Sequence, residues 1–197
     1  MQPKKGNTKH RVLLLTTTRS YRGPAFLAAA EKLDVQIIQG VDMPRELSTQ
    51  WEGGLALDFH QRDNAVRDVI AYAQENPLDA ILAVDDSGSL LAAMASDTLG
   101  LLHNSTNATE AARNKFRMRQ LLQEAQLPSP ICRQYTTADD PNQIAQETTF
   151  PCVVKPLSLN GSRGVIRAND IHELLLAIKR STRLLRSLQG PDLPCHS

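Results

Sequence analysis

From Arg11 onward the chain alternates short, uninterrupted apolar runs with longer segments of helical periodicity, and this alternation restricts its fold more than any other feature. "RVLLLTT" is continuously apolar and of strand length, which predicts a strand covered on both faces. "GPAFLAAAEKL" follows, with Pro24 near its first turn and an alanine-rich body, both favourable for a helix. "VQIIQ" and "LALDF" read as further strands, separated by a polar stretch that holds Trp51 and the turn pair Gly53 and Gly54. "RDNAVRDVIAYAQEN" spaces Val66, Val69, Ile70 and Ala73 at helical intervals and stops before Pro77. "DAILAVDD" predicts another buried strand, and "SGSLLAAMASDTLG" a helix closed by Gly100. The pattern is that of an α/β domain with a Rossmann-like parallel sheet covered by helices on both faces. Its first turn, "TTTRSYRGP", lacks the GxGxxG that admits a dinucleotide pyrophosphate, which argues against NAD or FAD there.

The pattern changes near residue 105. "NSTNATEAA" is a polar junction rich in capping residues, and it divides the chain into a first domain of residues 1–105, a second of 106–190 and a tail of 191–197. "NKFRMRQLLQEAQLPSP" predicts an amphipathic helix with Phe116, Leu121, Leu122 and Ala125 on or near one side, ended by Pro128 and Pro130. Next come "ICRQYTT" as a strand, "DDPNQIAQET" as a short helix with Pro141 in its first turn, and "PCVVKP" and "GVIRAN" as strands. "DIHELLLAIKRSTRLLRSL" closes the series as a helix whose apolar face is Leu174, Leu175, Ile178, Leu184 and Leu185. The sequence has no internal repeat and no low-complexity segment.

Charge and cysteine usage exclude several function classes. Twenty-two Lys and Arg against twenty-one Asp and Glu give a net charge of +1, so no general pull towards nucleic acid or anionic membrane is expected and any anion site must be local. The N-terminal apolar run stops at Thr16, too short for a signal-peptide core or a membrane span, and a cytoplasmic location is expected. Cys132, Cys152 and Cys195 are far apart and form no CxxC, against a disulfide framework or a zinc site; Cys152 is expected to pack as a small apolar residue. His10, His103, His172 and His196 show no metal-ligand spacing. Lys179, Arg180, Arg183 and Arg186 lack interleaved aromatics and read as a solvated helix face rather than an RNA site.

The segment "FPCVVKPLSLNGSRGVIRAND" carries the chemistry. A P-loop places its lysine inside the loop, directly before a helix. Here Lys155 precedes the loop, and Val165 and Ile166 after it are β-branched, so Leu157 to Arg163 caps an antiparallel hairpin. Such a tip can fold backbone N–H groups around a phosphate, with Ser162 and Arg163 adding donors and Lys155 reaching the same anion from the strand. Equally, it can be a surface hairpin whose glycines only supply positive φ and whose lysine is solvated.

Three elements distinguish these readings: the Asn-Lys pair at 114–115, the Val-Val-Lys-Pro strand, and the Gly-Ser-Arg-Gly-Val loop, all following a domain that ends in "DTLGLLHNS". Together they resemble the ATP-grasp superfamily over most of the chain, in the order of a pre-ATP-grasp domain and then the first ATP-grasp lobe. Within it the chain is most similar to the carbamoyl-phosphate synthetase, biotin carboxylase and carboxylate-amine ligase group. The resemblance implies that Lys115 and Lys155 contact ATP phosphates and that Gly161, Ser162, Arg163 and Gly164 form the flap over them. For Lys115, a solvated helix residue is the alternative. It further implies ATP-dependent activation of a small carboxylate as an acyl phosphate, attacked by an amine, thiol or other nucleophile. The Mg²⁺ ligands and the adenine-binding segment are implied to lie in a second lobe. The chain is therefore expected to be an N-terminal fragment, truncated product or degenerate copy, inactive alone, whose exposed lobe surface invites self-association. A non-catalytic nucleotide-binding or interaction module of the same fold is the alternative.

Two polar clusters compete for attention. Asp85 and Asp86 stand at the C-terminal end of a strand, where open α/β sheets bind ligands, although helix capping by Asp86 or Ser87 accounts for them better. His60 between Asp58 and Asp63 offers an acid-base group, but a polar turn capped by Asp63 or a neighbour is the simpler account.

Overall fold

The computed structural model describes residues 9–44, 46–47, 53–157, 159 and 161–189. Trp51, Cys195, His196 and the tail lie outside the described residues. The chain divides into two units, Met1–Glu110 and Ala111–Ser197.

The first unit contains β1 (Arg11–Thr17), α1 (Gly23–Lys32), β2 (Gln36–Asp42), β3 (Gly54–Leu57), α2 (Arg62–Glu75), β4 (Ala80–Ala83) and α3 (Asp86–Leu99). Its four strands are all parallel, in the order β3-β2-β1-β4. Central β1 pairs with β2 (Leu13↔Ile38) and with β4 (Leu13↔Ile81). Val12 to Leu15 are buried in succession, and because alternate strand residues face opposite sides, both faces of β1 are covered. The continuous apolar run thus does what it predicts. Leu13, Leu15, Leu57, Val69, Leu91 and Ala95 are fully enclosed in one core, each large side chain contributing about 1.5–3 kcal/mol. Gly88 lets α3 approach closely, since a Cβ there would lie 3.1 Å from Phe59 and 3.2 Å from Leu15.

The division between units falls within α4 (Thr106–Arg113). This helix occupies the segment expected as a junction: the Ser105 hydroxyl accepts the Ala108 N–H at 3.2 Å, so the capping residues start a helix instead of breaking the chain. The second unit continues with α5 (Lys115–Glu124), α6 (Pro141–Glu147), β5 (Cys152–Val154), β6 (Ile166–Ala168) and α7 (Ile171–Gln189). β5 and β6 are antiparallel, Val154 opposite Ile166, as the hairpin reading requires. Ile144, Ala145, Ala168 and Leu174 form the core of this unit, with Phe150, Cys152, Val154, Leu175 and Ile178 packed against it. Burial pushes the Cys152 thiol above its ordinary value, as expected of a cysteine used as an apolar side chain.

The predicted strand "ICRQYTT" does not form. Ile131 is 89% exposed, and the segment is fastened instead by side chains: the Arg133 guanidinium donates to the Glu147 carbonyl, and the Tyr135 hydroxyl to the Glu147 carboxylate at 3.5 Å. Alternating apolar residues make a strand only where a ladder partner is available. Among the described residues no helix is long and apolar enough to cross a membrane.

Candidate functional site

The site is built from the start of α5 and the loop between β5 and β6. Asn114 is extended (φ −103°, ψ 103°), and its Oδ1 accepts the backbone N–H groups of Phe116 at 3.0 Å and Arg117 at 3.1 Å. That cap fixes the first turn of α5 and hence the position of Lys115. A cation in the first helical turn opposes the helix dipole. Lys115 is nevertheless half-buried, and its Nζ donates to the carbonyl oxygens of Leu157 at 2.9 Å and Leu159 at 2.8 Å. The solvated-helix alternative is thereby overturned, and the Asn-Lys pair is joined to the loop.

Lys155 follows β5 directly and is also half-buried, yet no carboxylate pairs with it among the described residues. Beyond it the loop turns tightly: Gly161, Ser162 and Gly164 have φ of 63°, 59° and 74°, and Val165 N–H reaches the Ser162 carbonyl at 3.3 Å. Ser162 in this left-handed region costs about 1–2 kcal/mol relative to glycine, the kind of local strain that collects at ligand clamps. Gly161, Ser162 and Arg163 are exposed at the tip. Gly164 is packed at the other end, where a Cβ would lie 2.9 Å from both Leu184 and Pro156.

The structure therefore sets Lys115 on the leading arm of the loop, Lys155 at its base, Gly161 to Arg163 at the tip and Gly164 on α7 and Pro156. What the sequence could not reveal are the Leu157 and Leu159 carbonyls, because backbone acceptors carry no side-chain signature. Among the described residues no group of three or more His, Cys, Asp or Glu could hold a metal ion.

In the two competing clusters, Asp85 and Asp58 hold neighbouring groups of the chain. Asp85, not Asp86 or Ser87, is the residue before α3; it makes no side-chain cap, and its carboxylate accepts the Thr17 hydroxyl at 3.4 Å, tying the ends of β1 and β4 together. Asp58 accepts the N–H groups of His60 at 2.9 Å and Gln61 at 3.4 Å, which shapes the turn before α2. Gln61 rather than Asp63 precedes the helix, again without a side-chain cap. An open depression of about 420 Å³ lies between this turn and Met94.

No family profile matches the chain. Over 173 residues it is 27% identical to alanine–anticapsin ligase of Bacillus subtilis, a stretch covering 83% of this chain and 36% of that protein. The L-amino acid ligase from Bacillus licheniformis superposes with a TM-score of 0.66 at 21% identity, over 89% of this chain and 43% of its own. The chain resembles ATP-grasp ligases. A further ATP-grasp neighbour is the biotin carboxylase domain of the Hydrogenobacter thermophilus 2-oxoglutarate carboxylase, solved with magnesium ADP and bicarbonate. It matches with a TM-score of 0.57 at 16% identity, over 87% of this chain and 40% of that one. The sequence thus spans about a third of the length of the alanine–anticapsin ligase it matches, and its α/β fold is that of the solved ATP-grasp neighbours over the superposed portion.

Proposed function

We propose that the chain supplies the phosphate-binding portion of a cytoplasmic ATP-dependent carboxylate-amine or carboxylate-thiol ligase. Residues 1–105 form its pre-ATP-grasp domain and residues 106–190 the first ATP-grasp lobe. The observation that carries this reading is Lys155, half-buried with no carboxylate paired to it among the described residues, at the base of a loop exposed at Gly161, Ser162 and Arg163. Lys155 holds phosphate oxygens, the backbone of Gly161 to Gly164 closes over them with Ser162 and Arg163 as further donors, and Lys115 adds positive charge from α5. The alanine–anticapsin ligase among the relatives supports an amino acid carboxylate as phosphoryl acceptor. The γ-phosphoryl group passes from ATP to a carboxylate oxygen as ADP leaves; the nucleophile then attacks the acyl carbon and phosphate departs. Such a transfer asks the protein chiefly for alignment and for positive charge around the moving group, which these side chains supply.

Magnesium accompanies ADP in the biotin carboxylase neighbour, and a divalent ion is part of the proposal for the whole ligase. Among the described residues no group of three or more His, Cys, Asp or Glu offers a ligand set for it.

Isothermal titration calorimetry with ATP, with and without Mg²⁺, on the chain and on Lys155→Ala tests the reading. A charge-assisted hydrogen bond is worth about 1.5–3 kcal/mol, so the variant should bind about 10- to 150-fold more weakly. Equal binding by both proteins, or no binding by either, overturns the phosphate site.

A further inference from the structure

The two hydrogen bonds of Lys115 point to a role beyond direct contact with nucleotide. An ammonium group has three N–H donors. Two of those on Lys115 are committed to carbonyls two residues apart on one arm of the loop, Leu157 at 2.9 Å and Leu159 at 2.8 Å. Because both acceptors are backbone, the amine holds Leu157 and Leu159 irrespective of the side chains there. Distances this short are typical of charge-assisted bonds, the stronger class. The placement runs against local electrostatics, since the first turn of α5 disfavours a cation, and a breach of a local rule marks a position chosen for another purpose. At the far end of the same loop, Gly164 is seated against the Pro156 ring and Leu184. Gly161, Ser162 and Arg163 therefore hang between two anchors, one polar and one steric.

We propose that Lys115 is a positioning residue: it holds the leading arm of the phosphate loop in place before nucleotide arrives, so that the tip and Lys155 share one anion. This deepens the phosphate-site reading and rests on it only for the nucleotide half of the test below.

The experiment is ¹⁵N relaxation on the full chain without nucleotide, comparing wild type with Lys115→Met, Lys115→Arg and Lys155→Met. Order parameters at Leu157, Leu159 and Gly161 should lie near about 0.85 in wild type and fall below about 0.6 in Lys115→Met. Lys115→Arg, which retains cationic donors, should restore most of the order, and Lys155→Met should leave it unchanged. Unaltered loop order in Lys115→Met, or an equal loss in Lys155→Met, overturns the role. So does loosening of α7 at Ala177 to the same extent as the loop, since Lys115 would then serve general stability. ATP titration of the same proteins separates the two readings. If Lys115→Met weakens binding while the loop stays ordered, Lys115 is a direct phosphate ligand and the positioning role fails. If wild type binds no ATP, the phosphate site fails, whereas a loop that loosens only on loss of Lys115 still upholds its positioning role.

Discussion

Replacing Gly164 with alanine separates the two demands that the structure makes on this position. The backbone there has φ of 74°, so any side chain meets the left-handed penalty of about 1–2 kcal/mol. The new methyl would also lie 2.9 Å from Leu184 Cδ2 and 2.9 Å from Pro156 Cγ. Leu184 can rotate its terminal methyl away. The ring of buried Pro156 cannot, and overpacking of this kind costs about 1–3 kcal/mol. The expected loss for Gly164→Ala is therefore about 2–5 kcal/mol. Gly161→Ala is the matched control: its φ of 63° carries the same backbone penalty, but among the described residues nothing beyond its chain neighbours would lie within 4 Å of a Cβ, so only about 1–2 kcal/mol is expected. Urea unfolding followed by hydrogen exchange at α7 amides reads the stability of the second unit for both variants. Equal losses would refute the packing argument and, with it, the claim that the trailing end of the loop is anchored on α7 and Pro156.

Two further perturbations test neighbouring statements. Asn114→Ala removes the acceptor for two backbone N–H groups and should cost about 1 kcal/mol, measured as a shift in the urea midpoint, with the order of Leu157 and Leu159 falling as Lys115 loses its fixed base. Asp79 is held below its ordinary carboxylate value of 3.8, first by the Arg11 N–H at 2.7 Å and then by His10. A depressed value in the folded state means that the contribution is complete above the unfolded value and vanishes as pH falls through the folded one, below 3.8. In Asp79→Asn the decline of stability on acidification below about pH 4 should flatten, and an unchanged acid limb would count against the assignment.

The sequence was most readable where one segment could act alone. β1 needs only its own four apolar residues to declare that both its faces are covered, and the hairpin follows from β-branched residues on either side of a glycine-bearing loop. Where structure depends on a distant backbone atom, side chains give no notice. "ICRQYTT" has strand composition but no strand beside it, and it is fastened through Glu147 instead. "NSTNATEAA" advertises caps, which mark the start of a helix as readily as a break, and Ser105 shows which applies. The pairing of Lys115 with two carbonyls of the β5–β6 loop, 42 and 44 residues away, has no counterpart in composition or periodicity. The same holds for Asp85, whose partner Thr17 is 68 residues distant.

The central place of β1 in its sheet has a consequence for synthesis. It precedes both of its partners in the chain, yet one of its two ladders is completed only with β4, an interval seen in the Arg11–Asp79 bond that spans 68 residues. Until Ala80 to Ala83 emerge, an apolar strand with an unpaired edge stands open to other nascent chains, as slow parallel pairings do. The edge of β1 is therefore most exposed to misassembly before β4 is made.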